Sequence, residues 1–179
     1  MDEYIDVLSS EGNLTGEVSL KSEAHKKGLW HASAQVWIVD RNQNVLLQKR
    51  AQNKDSYPNL WDISVAGHLS AKDSPISAAQ REVKEEIGLD LSVEQFRFLK
   101  RIKRSKIPKK GFWDNEFNYL FAVKCDIFIS ELKLQEEEVT AVQLVPLNEF
   151  QKKIKESSQI FVPHGDKYYQ YIITELLAL

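Results

Sequence analysis

The segment 74–88 leaves the chain the least freedom. Ser74 can cap a helix through its hydroxyl, and Pro75 stands at the first helical position, where a missing N–H costs nothing. Gly88 can end the helix in a left-handed conformation. Between them Ile76, Ala79, Val83 and Ile87 recur at helical spacing and form one apolar stripe. The same helix carries Glu82, Glu85 and Glu86 at spacing i, i+3, i+4, on a face about 110° round from the stripe. Like charges so placed weaken a helix by roughly a few tenths of a kcal/mol per pair, so something must compensate. A hard divalent cation does this well, because Mg²⁺ takes carboxylate oxygens and keeps positions open for phosphate oxygens. Arg81, four residues before Glu85, can hold that carboxylate. Taken alone, the three glutamates also fit a solvated acidic face.

Around this helix the pattern predicts short strands at 4–8 and 15–20, joined by the turn 9–13. Residues 21–29 read as a short helix or loop. A strand at 31–39 and the turn 40–44 lead to a hairpin partner at 45–49. Residues 51–60 read as a loop and 61–66 as one strand. Further strands are expected near 94–103, 116–124 and 139–145, then a helix from Pro146 to about 157 and a last one at 165–177. Strands outnumber helices without regular alternation, which predicts a mixed sheet with helices on its faces. The length, 179 residues, fits a single domain spanning 1–179, with 1–28 as an N-terminal extension.

Lysine plus arginine is 24 and aspartate plus glutamate 26, a net charge of −2. No whole-chain field draws the protein to nucleic acid, so a generally basic nucleic-acid binder is excluded. The one cysteine, Cys125, excludes an intramolecular disulfide and a cysteine-based zinc cluster. The start Met1-Asp2-Glu3 lacks a signal-peptide pattern, and the longest apolar run, 119–123, is far short of a membrane span. A cytoplasmic, non-membrane protein is the expectation. Oligomeric state leaves no signature.

The segment 67–89 resembles the Nudix box, G-x5-E-x7-R-E-U-x-E-E-x-G-U with U apolar. It runs Gly67, Asp73, Arg81, Glu82, Val83, Glu85, Glu86, Gly88, Leu89, matching eight of nine specified positions, with Asp73 in place of glutamate. The resemblance implies an α/β/α sandwich and an enzyme in which Mg²⁺ or Mn²⁺ directs water at a diphosphate. Carried over, Glu82 and Glu86 are the leading metal ligands, with Glu85 a third and the Gly67 carbonyl a further oxygen. Asp73, Arg81 and Gly88 support the box, Asp73 by bonding Arg81 or the loop backbone.

A second resemblance narrows the group. Leu29-Trp30-His31-Ala32 and Asn59-Leu60-Trp61-Asp62-Ile63-Ser64-Val65-Ala66-Gly67-His68 are similar to segments of type I isopentenyl-diphosphate isomerases and their hydrolase cousins. In the isomerases a catalytic cysteine precedes the Gly-His pair, and here that position is Ala66. Alanine can neither donate nor accept a proton, which favours hydrolase over isomerase chemistry. The same resemblance implies a second metal site at His25, His31, His68, Asp114 and Glu116, a set suited to Zn²⁺ or Mn²⁺. The plainer alternative is that the histidines bond backbone near the site.

Glu138 precedes a strand as a late-loop glutamate does in many Nudix hydrolases, and with Glu116 it is a candidate for activating water. Residues 100–110 hold seven basic residues and no acidic one, and read as a flexible link between strands, a phosphate grip or a solvated loop. Arg50, Lys103 and Arg104 are the candidate phosphate contacts. Trp61, Trp113, Phe112 and Tyr57 can stack on a base or fill core. His164, Tyr168, Tyr169 and Tyr171 are assigned to packing or surface. The expected protein is a metal-dependent hydrolase of a small diphosphate-containing substrate, a nucleoside diphosphate derivative. An isomerase-like enzyme and a catalytically silent binding module of the same fold are the alternatives.

Overall fold

The structure is a computed structural model and describes residues 2–179. Strands β1 (Tyr4–Leu8) and β2 (Leu14–Leu20) pair antiparallel as a separate hairpin. Helix α1 (Lys21–Lys27) follows, closed by Gly28 at φ 68°. Then come β3 (His31–Val39), β4 (Asn44–Arg50), β5 (Trp61–Asp62), β6 (Val65–His68) and α2 (Pro75–Ile87). The chain continues through β7 (Arg97–Lys109), β8 (Phe112–Lys124), β9 (Val139–Pro146), α3 (Leu147–Glu156) and α4 (Asp166–Leu177).

Strands β3 to β9 form one mixed sheet. β3 runs parallel to β8, from His31↔Glu116 to Val39↔Lys124, and the other pairings are antiparallel. One face presents Ala34, Val36, Ile38 and Val65 to Ala79, Val83 and Ile87 of α2. The other presents Trp37, Val39, Leu120 and Ala122 to Phe150 of α3 and Ile172 and Leu176 of α4. This is the expected α/β/α sandwich with its N-terminal hairpin. A strand covered on both faces is buried throughout, as all of β3 is. Helix α2 starts and stops where its signals stand: Ser74 Oγ accepts from Ser77 N at 3.2 Å, and Gly88 closes the helix at φ 74°.

Three expectations are corrected. The stretch 61–66 is two strands: β5 pairs with β4 and β6 with β3. The 31–39 and 45–49 hairpin separates beyond Val39↔Val45. Ser64 fills the gap, its hydroxyl accepting from Ile38 N at 2.8 Å and donating to Leu46 O at 2.6 Å. The third correction concerns 100–110, which is most of β7 and not a flexible link. Ile102, Arg104 and Lys106 are half-buried there while Lys103, Ser105 and Ile107 are exposed, the alternation of an edge strand. The turn itself lies at Gly111, with φ 79°.

Candidate active site

Helix α2 delivers the box carboxylates to the end of β6. Glu82 and Glu86 are buried, whereas the Glu85 side chain is 52% exposed. Gly67 lies against Glu82 so closely that a Cβ there would fall 1.9 Å from the carboxylate carbon. The glycine is thus required by space, not by backbone conformation. Glu86 Oε2 accepts from Gln48 Nε2 of β4 at 3.1 Å and from Ala66 N at 3.4 Å. Arg81 Nη1 donates to Glu82 at 2.7 Å and to Glu85 at 3.0 Å. Its Nη2 reaches the His68 carbonyl at 3.0 Å and Asp73 at 3.2 Å, so the shorter acid at 73 still makes the contact.

Two buried carboxylates at close quarters resist ionising. Burial, followed by the charge of Glu82, pushes Glu86 up to about 8. Burial pushes Glu82 up to about 7 in spite of Arg81. Glu138, which joins Lys54 in an ion pair, adds to the negative field on Glu86. Buried acids in this state, with space kept open by a glycine, suit a hard divalent cation.

A second cluster adjoins the first through His68. His25 of α1, His31 of β3 and His68 offer ring nitrogens within 4.8 Å of one another, and His31, Asp114 and Glu116 form an overlapping set. His25 Nδ1 meets the Trp113 carbonyl at 3.0 Å and His31 Nδ1 the Leu29 carbonyl at 2.9 Å. Those carbonyls take the proton on each Nδ1, so each Nε2 is the atom left to bind a cation or, in its place, a proton that Glu116 favours on His31. His25 Nε2 then faces His68 Nε2 at 3.3 Å. Glu116 Oε1 stands 3.1 Å from His68 Nε2 and 3.5 Å from His31 Nε2, which is buried without a hydrogen bond. Ring nitrogens and a carboxylate converging in this way fit a cation such as Zn²⁺ or Mn²⁺. Burial and the neighbouring histidines push His25 down to about 4. Burial and the Glu116 charge push Asp114 up to about 7, while His31 and His68 outweigh burial and hold Glu116 well below the usual carboxylate range.

The candidate phosphate contacts fall in different places. Arg50 is turned inward, donating to Asp62 at 3.1 Å and to the Ser56 carbonyl. Lys103 lies away from the cluster, over the Trp30 ring at 4.4 Å and bonded to the Ser10 carbonyl. Arg104 sits opposite Glu116 in the β7–β8 register. Among the aromatics, Phe112 stacks on His25 at 4.2 Å and Trp61 packs against the core. Lys106 lies over Tyr57 at 5.7 Å, and Trp113 is exposed.

Several polar residues near these clusters carry no sequence motif. Glu3 pairs with Lys21 at 2.8 Å, and the charge of Glu3 bears on Glu82 and His68. The hairpin therefore adds negative charge beside the candidate ligands. Two signals were legible. His31, Ser33 and Gln35 alternate with Ala32, Ala34 and Val36, and Gln48 interrupts the apolar run Val45-Leu46-Leu47. Polar residues inside buried strands mark a lined site.

A family model described as NUDIX domain matches residues 29–164. Nudix hydrolase 3 of Arabidopsis thaliana is 38% identical over 167 residues, covering 91% of this chain but only 22% of that protein, so the chain spans about a fifth of that relative. An uncharacterized Nudix hydrolase of Listeria monocytogenes is 34% identical, with 92% of this chain and 90% of that one covered. An isopentenyl-diphosphate delta-isomerase of Gibberella zeae is 28% identical, covering 91% and 71%. In fold, the chain is similar to DR0079 from Deinococcus radiodurans, with TM-score 0.68, 16% identity and coverage of 87% and 90%. The box residues, the sandwich that holds them and these matches agree, and the chain belongs to the Nudix hydrolase family, with the isopentenyl-diphosphate isomerases among its relatives.

Proposed function

We propose that the protein is a divalent-cation-dependent hydrolase of a phosphoanhydride bond in a small diphosphate-containing substrate of the nucleoside diphosphate class. The observation that carries this reading is the pair of buried carboxylates, Glu82 and Glu86, against a glycine whose missing Cβ keeps their space open. Glu82, Glu86 and the Gly67 carbonyl would hold Mg²⁺ or Mn²⁺, with Glu85 at the exposed rim. Such a cation neutralises phosphate charge and lowers the pKa of water bound to it.

The chain's own residues do the rest. Gln48 and the Ala66 N–H orient Glu86. Arg81 ties Glu82, Glu85 and Asp73 to the β6 end, so the ligand geometry is set before substrate arrives. Glu138, paired with Lys54 beside Glu86, is the carboxylate we assign to take the proton from the attacking water. His25, His31, His68 and Glu116, with Asp114 beside them, would hold a second cation. Arg104 supplies positive charge on that side.

One observation favours isomerase chemistry instead: the histidine–carboxylate cluster is assembled. Against it stands Ala66, which offers no proton where the isomerases carry cysteine. Incubation with isopentenyl diphosphate and with nucleoside diphosphate derivatives, in Mg²⁺ or Mn²⁺, separates the two. Phosphate or monophosphate release supports the hydrolase. An isomerised diphosphate with no phosphate release overturns it.

A further inference from the structure

A polar chain, Arg50–Asp62–His164–Arg104, runs from the buried Asp62 to the half-buried Arg104, outside the two candidate metal clusters. Asp62 is enclosed. Arg50 Nη1 donates to its Oδ2 at 3.1 Å, and His164 Nε2 meets its Oδ1 at 2.7 Å. A carboxylate at Nε2 fixes the tautomer, with the proton on Nε2 and a lone pair on Nδ1. Arg104 Nη1 donates to that Nδ1 at 2.6 Å, and its Nη2 donates to the Pro163 carbonyl at 3.1 Å.

The imidazole has little freedom. It stacks on Tyr168 at 4.7 Å, and the Tyr168 hydroxyl is fixed by Trp37 and Gln35 at 3.0 and 2.8 Å. Arg104 lies over the same Tyr168 ring at 5.9 Å. Among the described residues, the guanidinium's hydrogen bonds go to neutral acceptors, not to a carboxylate. A guanidinium held in this way keeps its full charge and most of its donors for an incoming anion. Its strand position, opposite Glu116, puts it on the face of the sheet that carries the histidine cluster.

We propose that His164, fixed by Asp62, is a positioning residue that holds Arg104 as a receptor for a substrate phosphate on the sheet face that carries the histidine cluster. This rests on the hydrolase reading, which supplies the phosphates. The segment around 164 has no motif, and its histidine is brought to Arg104 only by the fold.

Inorganic pyrophosphate is the probe, titrated calorimetrically into the full chain with Ca²⁺ replacing Mg²⁺ to hold back turnover. Arg104→Gln and His164→Leu are each expected to weaken binding about tenfold, the worth of a charge-assisted hydrogen bond. The double variant is expected to lose no more than either single one, because both remove the same receptor. His164→Gln offers an acceptor and a donor in similar places, and is expected to recover binding to within about threefold of wild type. Wild-type affinity in Arg104→Gln overturns the proposal. So do multiplying losses in the double variant, or no recovery with glutamine. If leucine at 164 prevents folding, Arg104→Lys carries the test. Lysine keeps the charge but cannot span His164 and Pro163, so wild-type affinity there overturns the positioning role. A wild-type chain that binds no pyrophosphate overturns the hydrolase reading and the proposal together, whereas wild-type binding with unchanged variants overturns the proposal alone.

Discussion

Gly67 and Glu82 share one volume: a methyl group on the first would stand 1.9 Å from the carboxylate carbon of the second. The residue that would have to move is the flexible end of Glu82, not backbone. Gly67→Ala is therefore expected to fold and to swing Glu82 out of the site. Thermal melts with and without Mg²⁺ check this. The metal-free variant should melt close to wild type, and the rise in melting temperature caused by Mg²⁺ should disappear, because only binding to the native state stabilises it.

Glu86→Gln keeps the contacts of Glu86 nearly isosteric but removes its charge. Phosphate release should fall by on the order of 100-fold or more, as when one preorganised electrostatic group is lost. The fold should survive, because burial already disfavours the charge. Wild-type turnover in a well-folded Glu86→Gln protein would show that Glu86 does not hold the cation.

The raised carboxyl groups couple metal binding to pH. In the unfolded chain a glutamate loses its proton near 4.3, roughly, whereas burial holds Glu82 and Glu86 up to about 7 and about 8. Between those limits the native state binds more protons than the unfolded state. The contribution of these two carboxyl groups to metal-free stability then falls as pH rises from about 5 to 8, against the lowered His25, whose contribution rises up to its unfolded value near 6.5. A cation displaces the same protons, so stabilisation by Mg²⁺ should grow over that window. Melts at pH 5, 6, 7 and 8 in both conditions check the sign; stabilisation by Mg²⁺ that is constant across them would contradict it.

The histidine cluster makes a separate prediction. Protein purified without chelator or polyhistidine tag should carry about one equivalent of a transition metal by elemental analysis. His68→Ala should lose it, because His68 Nε2 faces both His25 and Glu116. Metal-free wild-type protein would leave the histidines as backbone-anchored structural groups.

Ser64→Ala tests the separation of β3 and β4. The hydroxyl serves Ile38 N and Leu46 O in a buried gap. Its loss leaves both groups unpaired and should cost about 1–3 kcal/mol. Chemical denaturation should show a lower midpoint with an unchanged slope.

The local signals in the sequence were strong where the physics is local. Ser74, Pro75, Gly88 and the stripe from Ile76 to Ile87 set the bounds of α2, because capping and amphipathic spacing act within one helix. The fixed spacing from Gly67 to Leu89 likewise identified the family without a fold. Tertiary structure decided which acids were sequestered. Glu82 and Glu86 are buried beside β6 and β4, while Glu85, on the same helix, stays exposed. It also turned the basic stretch 100–110 into an edge strand, sending Arg104 to one face and Lys103 to the other. The distances along the chain from His25 to Glu116, and from Asp62 to His164, explain why those clusters could not be read from spacing. Their members meet only when β3 pairs with β8, and when α4 packs across the sheet, because burial and long-range strand pairing are properties of the whole chain.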